Sequence, residues 1–247
     1  MIRHAVHLAR LTWVEIKIFL REPMGAIGTV LIPVVLFVVL GRFLGGNPKA
    51  PRFVTDELPV FVVIFIAIGA VLSLTTIIAI YREGGILKRL KATPLSPLVI
   101  LLAHVIVKLL LTSVTLVLLV LAGRRFYSGS LPQTPWSFFL GVVLVSLSLL
   151  SLGFVLASVI RTARFAQPLG SILLYSLLSI SGLFFPIRYL PGFWRSLALA
   201  SPLTHAVDLL RGLWLGAGWA SVWIAVVVLV ANLVFCTLLS ARVFRWE

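Results

Sequence analysis

Six apolar runs alternate with short polar connections along the chain, at 24–44, 58–80, 97–122, 136–160, 168–185 and 219–241. Each is long enough, or nearly so, for a helix to cross a hydrocarbon layer about 30 Å thick. In lipid a spanning segment must satisfy its own backbone polar groups, so these runs predict α-helices. The expected fold class is an all-α membrane protein with six transmembrane helices in a single transmembrane domain over 1–247. Pro33, near the middle of the first run, predicts a kink there.

Two segments fit neither a span nor a loop. With residues 1–22 read as a helix, Arg3, His7, Arg10, Lys17 and Arg21 fall on one narrow stripe, and Ile2, Val6, Ala9, Trp13, Ile16 and Leu20 make up much of the opposite side. That pattern predicts an interfacial helix lying on anionic headgroups, with a soluble helix packed on a partner as the other reading. No cleavable apolar core precedes the first span, so that span is expected to direct insertion itself. Residues 186–218 are moderately apolar and broken by Pro191-Gly192 and Ser201-Pro202. They predict two short helices, Phe193 to Ala200 and a second that starts with Ser201 as N-cap and Pro202 at N1 and runs to Arg211. Trp194, Trp214 and Trp219 place the pair at a membrane interface.

Between the second and third runs lies an island of charge from Tyr81 to Pro97. Arg82, Glu83, Lys88, Arg89 and Lys91 would each cost roughly 2.5–3.5 kcal/mol at a bilayer centre, upward of about 12 kcal/mol together, so the island lies outside the hydrocarbon. Gly84 and Gly85 loosen the end of the preceding run, Ile86 to Ala92 form about two helical turns, and Thr93-Pro94 and Ser96-Pro97 stop them. Ile86, Leu87 and Leu90 make an apolar edge, with Lys88, Arg89 and Lys91 on the other side. A plain positive-inside loop accounts for the basic residues but not for the Glu-Gly-Gly start or the Thr-Pro stop.

The run from Glu83 to Ser96, E-G-G-I-L-K-R-L-K-A-T-P-L-S, resembles the cytoplasmic segment of ABC-2 type permeases, the membrane subunits of ABC exporters, and especially their drug-resistance branch. Their pattern is approximately E-x-G-T-L-x-R-L-(K/R)-A-T-P-L-S, and Ile86 stands where it usually has Thr. The resemblance implies that 82–93 is the coupling helix, seated in a cleft of the ATP-hydrolysing subunit. Arg82, Glu83, Gly84, Ile86, Leu87, Lys88, Arg89, Leu90, Lys91, Thr93 and Pro94 are then the coupling residues. A second stretch, from Tyr189-Leu190-Pro191 through Ser201-Pro202-Leu203-Thr204 to Leu210-Arg211, is similar to the family's L-P-x-x-(L/F)…P-L-T…R signature. Together the two imply six spans, an external hairpin between the fifth and sixth, and a dimer of permease subunits, homo- or heteromeric, with two copies of an ABC ATPase. No cofactor is expected on this chain, and ATP and Mg belong to the partner.

Composition agrees with the membrane reading. Of 247 residues 61% are hydrophobic and 11% charged, and the mean hydropathy is +1.16. The formal charge of +14 sits in clusters at the ends of apolar runs, the pattern of topology signals and lipid contacts, so no nucleic-acid partner is expected. Arg3, Arg10, Lys17, Arg21, Arg82, Lys88, Arg89, Lys91, Arg161, Arg164, Arg242 and Arg245 collect on one side of a six-span chain. Fewer, namely Arg42, Lys49, Arg52, Arg124, Arg125, Arg188, Arg195 and Arg211, collect on the other. Both termini are therefore expected in the cytoplasm, with the protein in the cell (inner or plasma) membrane.

No Walker A pattern occurs, so hydrolysis is assigned to another polypeptide and the chain is not expected to be an enzyme. Glu83, at the start of the island helix, reads either as a cap or as a pair for a basic group of the partner. His104, Lys108, Thr112 and Thr115 make a polar stripe on the third span, a candidate path for an amphipathic or anionic substrate. Packing of Lys108 among polar neighbours is the other reading. Ser171, Tyr175, Ser179 and Gly182 on the fifth span, and Asn232, Cys236 and Ser240 on the sixth, read as helix-packing faces. Thr204, His205, Asp208 and Arg211 in the hairpin supply too few ligands for zinc, and Asp208 is expected to pair with Arg211 while His205 caps or packs. The expected function is a permease subunit exporting a drug-like compound or lipid, with polysaccharide as a further cargo class. The alternatives are an ion-coupled secondary transporter on His104 and Lys108, which lacks the usual intramembrane carboxylate, and an intramembrane lipid-modifying enzyme around His205, Asp208 and Arg211.

Overall fold

A computed structural model describes residues 2–21, 27–44, 51–86, 97–127, 131–160, 162–181 and 187–243. These residues are helical, without strands. Helix α1 is Ile2–Arg21, α2 covers 27–44 and α3 covers 51–83. Then come α4, Pro97–Tyr127, α5, Pro135–Val159, and α6, Ala163–Ile180. A 3₁₀ turn at Ile187–Tyr189 precedes α7, Gly192–Ala200, α8, Pro202–Trp214, and α9, Trp223–Val243. By length and composition four helices among the described residues can cross a membrane, 57–83, 102–127, 135–159 and 223–243, and 27–43 is a shorter apolar helix.

Several boundaries differ from the sequence reading. Helix α3 begins at Pro51 rather than after Glu57, because a proline at the first helical position is preorganised and forfeits no bond. Just before Pro33, where a kink is expected, Ile27–Leu31 widen into a π segment. Proline clashes with the carbonyl four residues back, here Thr29, and the wide turn makes room for it. A second π segment, Gly69–Leu74, interrupts α3.

At the centre α8 packs on α3, α5 and α9. Its Leu203, Ala206, Leu209, Leu210 and Leu213 are buried. Trp214, expected at an interface, is only 2% exposed and meets Phe138 edge-on at 5.0 Å. Two polar residues of α8, Thr204 and His205, are also buried, which a sequence average cannot separate from a wet surface.

The closest approach joins α3 and α5. A Cβ on Gly153 would lie 2.1 Å from the Ala70 carbonyl oxygen, so only glycine fits. Beside it the Thr75 hydroxyl donates to the Gly153 carbonyl at 3.3 Å. Helices α5 and α9 are joined by polar bonds: Asn232 Nδ2 donates to the carbonyl and to Oγ of Ser148, at 3.0 and 2.9 Å. The Ser148 hydroxyl in turn donates to the Leu229 carbonyl at 3.0 Å.

Candidate functional site

The described part of the charged island is where α3 ends. Gly84 N–H closes the last turn on the Ile80 carbonyl. Gly85 turns the chain out with φ +66, a left-handed value that glycine adopts without a Cβ penalty. Leu87, Lys88, Arg89, Leu90, Lys91, Thr93 and Pro94, and with them the expected basic helix, lie outside the described residues.

Arg82 and Glu83 depart from the sequence reading. They belong to the last turn of α3. Arg82 is not spread on the surface but 9% exposed, its guanidinium aimed at the end of α5. Nη1 donates to the Ile160 carbonyl and Nη2 to the Ala157 carbonyl, both at 2.9 Å. The last carbonyls of a helix have no partner within it and carry the negative end of its dipole, so a forked cation suits them. Glu83 points the other way along the same corner. Its Oε1 accepts the Ala163 N–H at 3.0 Å, at the start of α6. Its carboxylate therefore caps the start of α6. Two consecutive residues thus hold the negative end of one helix and the positive end of the next. Ile86, the last described residue before 97, is exposed.

The polar stripe on α4 divides in two. His104 faces α1, its Nδ1 3.7 Å from Glu15 Oε2 and its ring 5.5 Å from that of Tyr81. The Tyr81 hydroxyl donates to Glu15 at 3.2 Å. Lys108 faces the π segment of α3, and Nζ donates to Ser73 Oγ at 2.6 Å. Lys108, Thr112 and Thr115 line a cavity of about 40 Å³ with Thr29 and Ser146, and His104 is not in its wall. Sequence reasoning passed over Glu15, although it is the lone acidic residue of α1 and an isolated acid on a basic helix is itself a signal. Ser73, Thr29 and Ser146 had no signal, since single small hydroxyls on apolar helices are common.

In the pair of short helices, His205 Nε2 lies 2.7 Å from the Leu199 carbonyl oxygen, tying α8 to α7, and the Thr204 hydroxyl donates to the Ser181 carbonyl at 3.2 Å. Pro191 immediately precedes α7 and Pro202 opens α8. Ser201 stands at the N-cap of α8, but its hydroxyl makes no cap bond. Asp208 is exposed and Arg211 partly so. Among the described residues no three His, Cys, Asp or Glu side chains stand together as a metal site.

These features define a multi-pass helical membrane protein whose charges are concentrated at helix ends and in one interior cavity. The sequence pattern of the ABC-2 type transporter family matches residues 7–215, and the chain belongs to that family. Two curated relatives, the probable doxorubicin resistance ABC transporter permease protein DrrC of Mycobacterium tuberculosis strains CDC 1551 and H37Rv, are each 26% identical over 241 residues. The aligned region spans 91% of this chain and 83% of theirs. The chain is accordingly a membrane component of an ABC exporter, and membership in this family carries a separate ATPase partner.

Proposed function

We propose that this chain is a six-span permease subunit that exports a hydrophobic or amphipathic substrate, a drug-like compound or a lipid, as one of two permease protomers driven by two ATPase subunits. Helix α2 and helix α6 supply the two spans beyond the four of full length, α7 and α8 form the external hairpin, and both termini are cytoplasmic. The bias of Lys and Arg toward the side holding 82–93 supports that orientation. The doxorubicin-resistance description of the relatives supports a drug-like cargo. ATP and Mg act on the partner, and membrane lipids surround the bundle.

One observation carries the coupling role. The island emerges directly beyond Arg82 and Glu83, which are bonded to the facing ends of α5 and α6. A partner pressing on 86–92 moves the end of α3 and, through those bonds, the α5–α6 corner. His205 is occupied by a backbone carbonyl, an arrangement suited to bracing the hairpin rather than to catalysis. The test is purification from the native membrane with Leu90→Asp as the variant. An ATPase that accompanies the natural chain and is lost, or no longer drives transport, with Leu90→Asp supports the proposal. Absence of any ATPase, together with transport indifferent to Leu90→Asp, overturns it.

A further inference from the structure

Two voids adjoin across Leu111. One is the polar cavity of about 40 Å³ around Lys108. The other is a wholly apolar groove of about 490 Å³ between α1, α2 and α4, lined by Phe19, Leu31, Val107, Leu110 and Val114 among others. Leu111 is in both walls. The π turn of α2 divides its residues between them, Thr29 facing the polar side and Ile27, Val30 and Leu31 the apolar side.

The polar side is built for an acceptor. Lys108 offers three protons and the structure accounts for one, on Ser73. Ser146, 1% exposed, lines the cavity with a hydroxyl that has no hydrogen-bond partner among the described residues, and an unmet buried hydroxyl is costly. Glu15, the acid acting on Lys108, is already shared by Tyr81 and His104. A water-sized occupant takes about 10–15 Å³ of such space, so the cavity admits about three heavy atoms. That matches a carboxylate and is too little for a phosphodiester. The groove falls within the range of volumes that hold drug-sized ligands, roughly 300–1,000 Å³.

We propose that the Lys108 cavity and the groove beyond Leu111 form one binding site for a carboxylate-headed amphiphile, with the head on the Lys108 ammonium and the Thr112 and Ser146 hydroxyls and the chain between α1, α2 and α4. As a step in transport this rests on the exporter reading, but binding does not. A charge-assisted bond contributes about 1.5–3 kcal/mol, which is about tenfold or more in affinity.

The test uses the permease with its ATPase in phosphatidylcholine nanodiscs and tritiated palmitate as probe, with hexadecanol, hexadecylamine and a lysophosphatidate of equal chain length as competitors. Palmitate displacing the label at least about tenfold better than hexadecanol or the amine, and Lys108→Met weakening palmitate about tenfold while leaving hexadecanol unchanged, support the site. Thr112→Val, a milder change, gives a smaller loss in the same direction and keeps the test usable where Lys108→Met fails to fold. Equal binding of palmitate and hexadecanol, stronger binding of lysophosphatidate, or palmitate affinity untouched by both variants overturns it. Failure of binding with the ATPase attached and transport intact sinks this site and leaves the exporter reading standing. Palmitate binding to a permease without any ATPase does the reverse.

Discussion

Replacing Arg82 by Met keeps an unbranched apolar stem and removes the fork that closes the end of α5. The natural guanidinium makes two bonds of 2.9 Å to the Ala157 and Ile160 carbonyls from a buried position. Bonds to a charged group contribute about 1.5–3 kcal/mol each, but water reaching a helix end restores part of what the carbonyls lose, so the net cost is set at about 2–3 kcal/mol. For a chain of this size that corresponds to roughly 4–12 °C in Tm. Arg82→Lys keeps the charge without the planar fork and is expected to recover about half the loss. Thermal unfolding in detergent, read by intrinsic tryptophan fluorescence, supplies the stability. ATP-driven transport in proteoliposomes supplies the coupling, which should fall with Arg82→Met even where the ATPase remains attached. An Arg82→Met protein that melts with the natural chain and transports at the natural rate would refute the clamp.

Gly153→Ala forces a methyl to within 2.1 Å of the Ala70 carbonyl oxygen, a backbone atom that cannot swing aside. Overpacking of this kind costs about 1–3 kcal/mol, and a lower yield of folded protein with a depressed Tm is expected. An unchanged Tm would mean that α3 and α5 do not meet there. Asn232→Leu removes both bonds to Ser148 and is expected to cost about 0.6 kcal/mol, at most about 1.7, by the scale of hydrogen bonds between membrane helices. A double-mutant cycle with Ser148→Ala checks the bond to the Ser148 hydroxyl, and full additivity would deny that bond.

How far the sequence could be read depended on whether a residue's partner lay on its own element. The helices were legible because lipid permits few backbone solutions, and the pair of short helices after Pro191 because Pro-Gly and Ser-Pro are local punctuation. Arg82 was read with Glu83, Lys88, Arg89 and Lys91 as one charged island outside the hydrocarbon. Its actual partners, Ala157 and Ile160, are more than seventy positions away and are backbone atoms, which leave no mark in a sequence. Trp214 failed similarly: tryptophan at the end of a moderately apolar helix reads as interfacial, and only the packing of Phe138 against it shows a core position. The α4 stripe was legible as a stripe, since its spacing is intrinsic to a helix. Its division between Glu15 and Ser73 was not, because it depends on how α1 and the π segment of α3 lie against α4.

A mechanical consequence follows from placing the clamp and the π segment on one helix. The π segment, Gly69–Leu74, holds Ser73, the partner of Lys108, and Ala70, the atom against which Gly153 is pressed. Eight residues beyond Leu74, in the last turn of the same helix, stands Arg82. A displacement applied past Gly85 reaches α5 at two levels, through the fork at its C-terminal end and through the contact at Gly153. Between these levels α3 and α5 must move together or lose the contact. The wide turn lies at the upper of the two, so a change in its winding shifts Ser73 relative to α4 while the lower clamp stays closed. On the proposed coupling reading, a push from the ATPase therefore reaches the Lys108 cavity as a rearrangement of the Lys108–Ser73 bond, and Ser73→Ala, which removes that bond, should uncouple ATP hydrolysis from transport without displacing the ATPase.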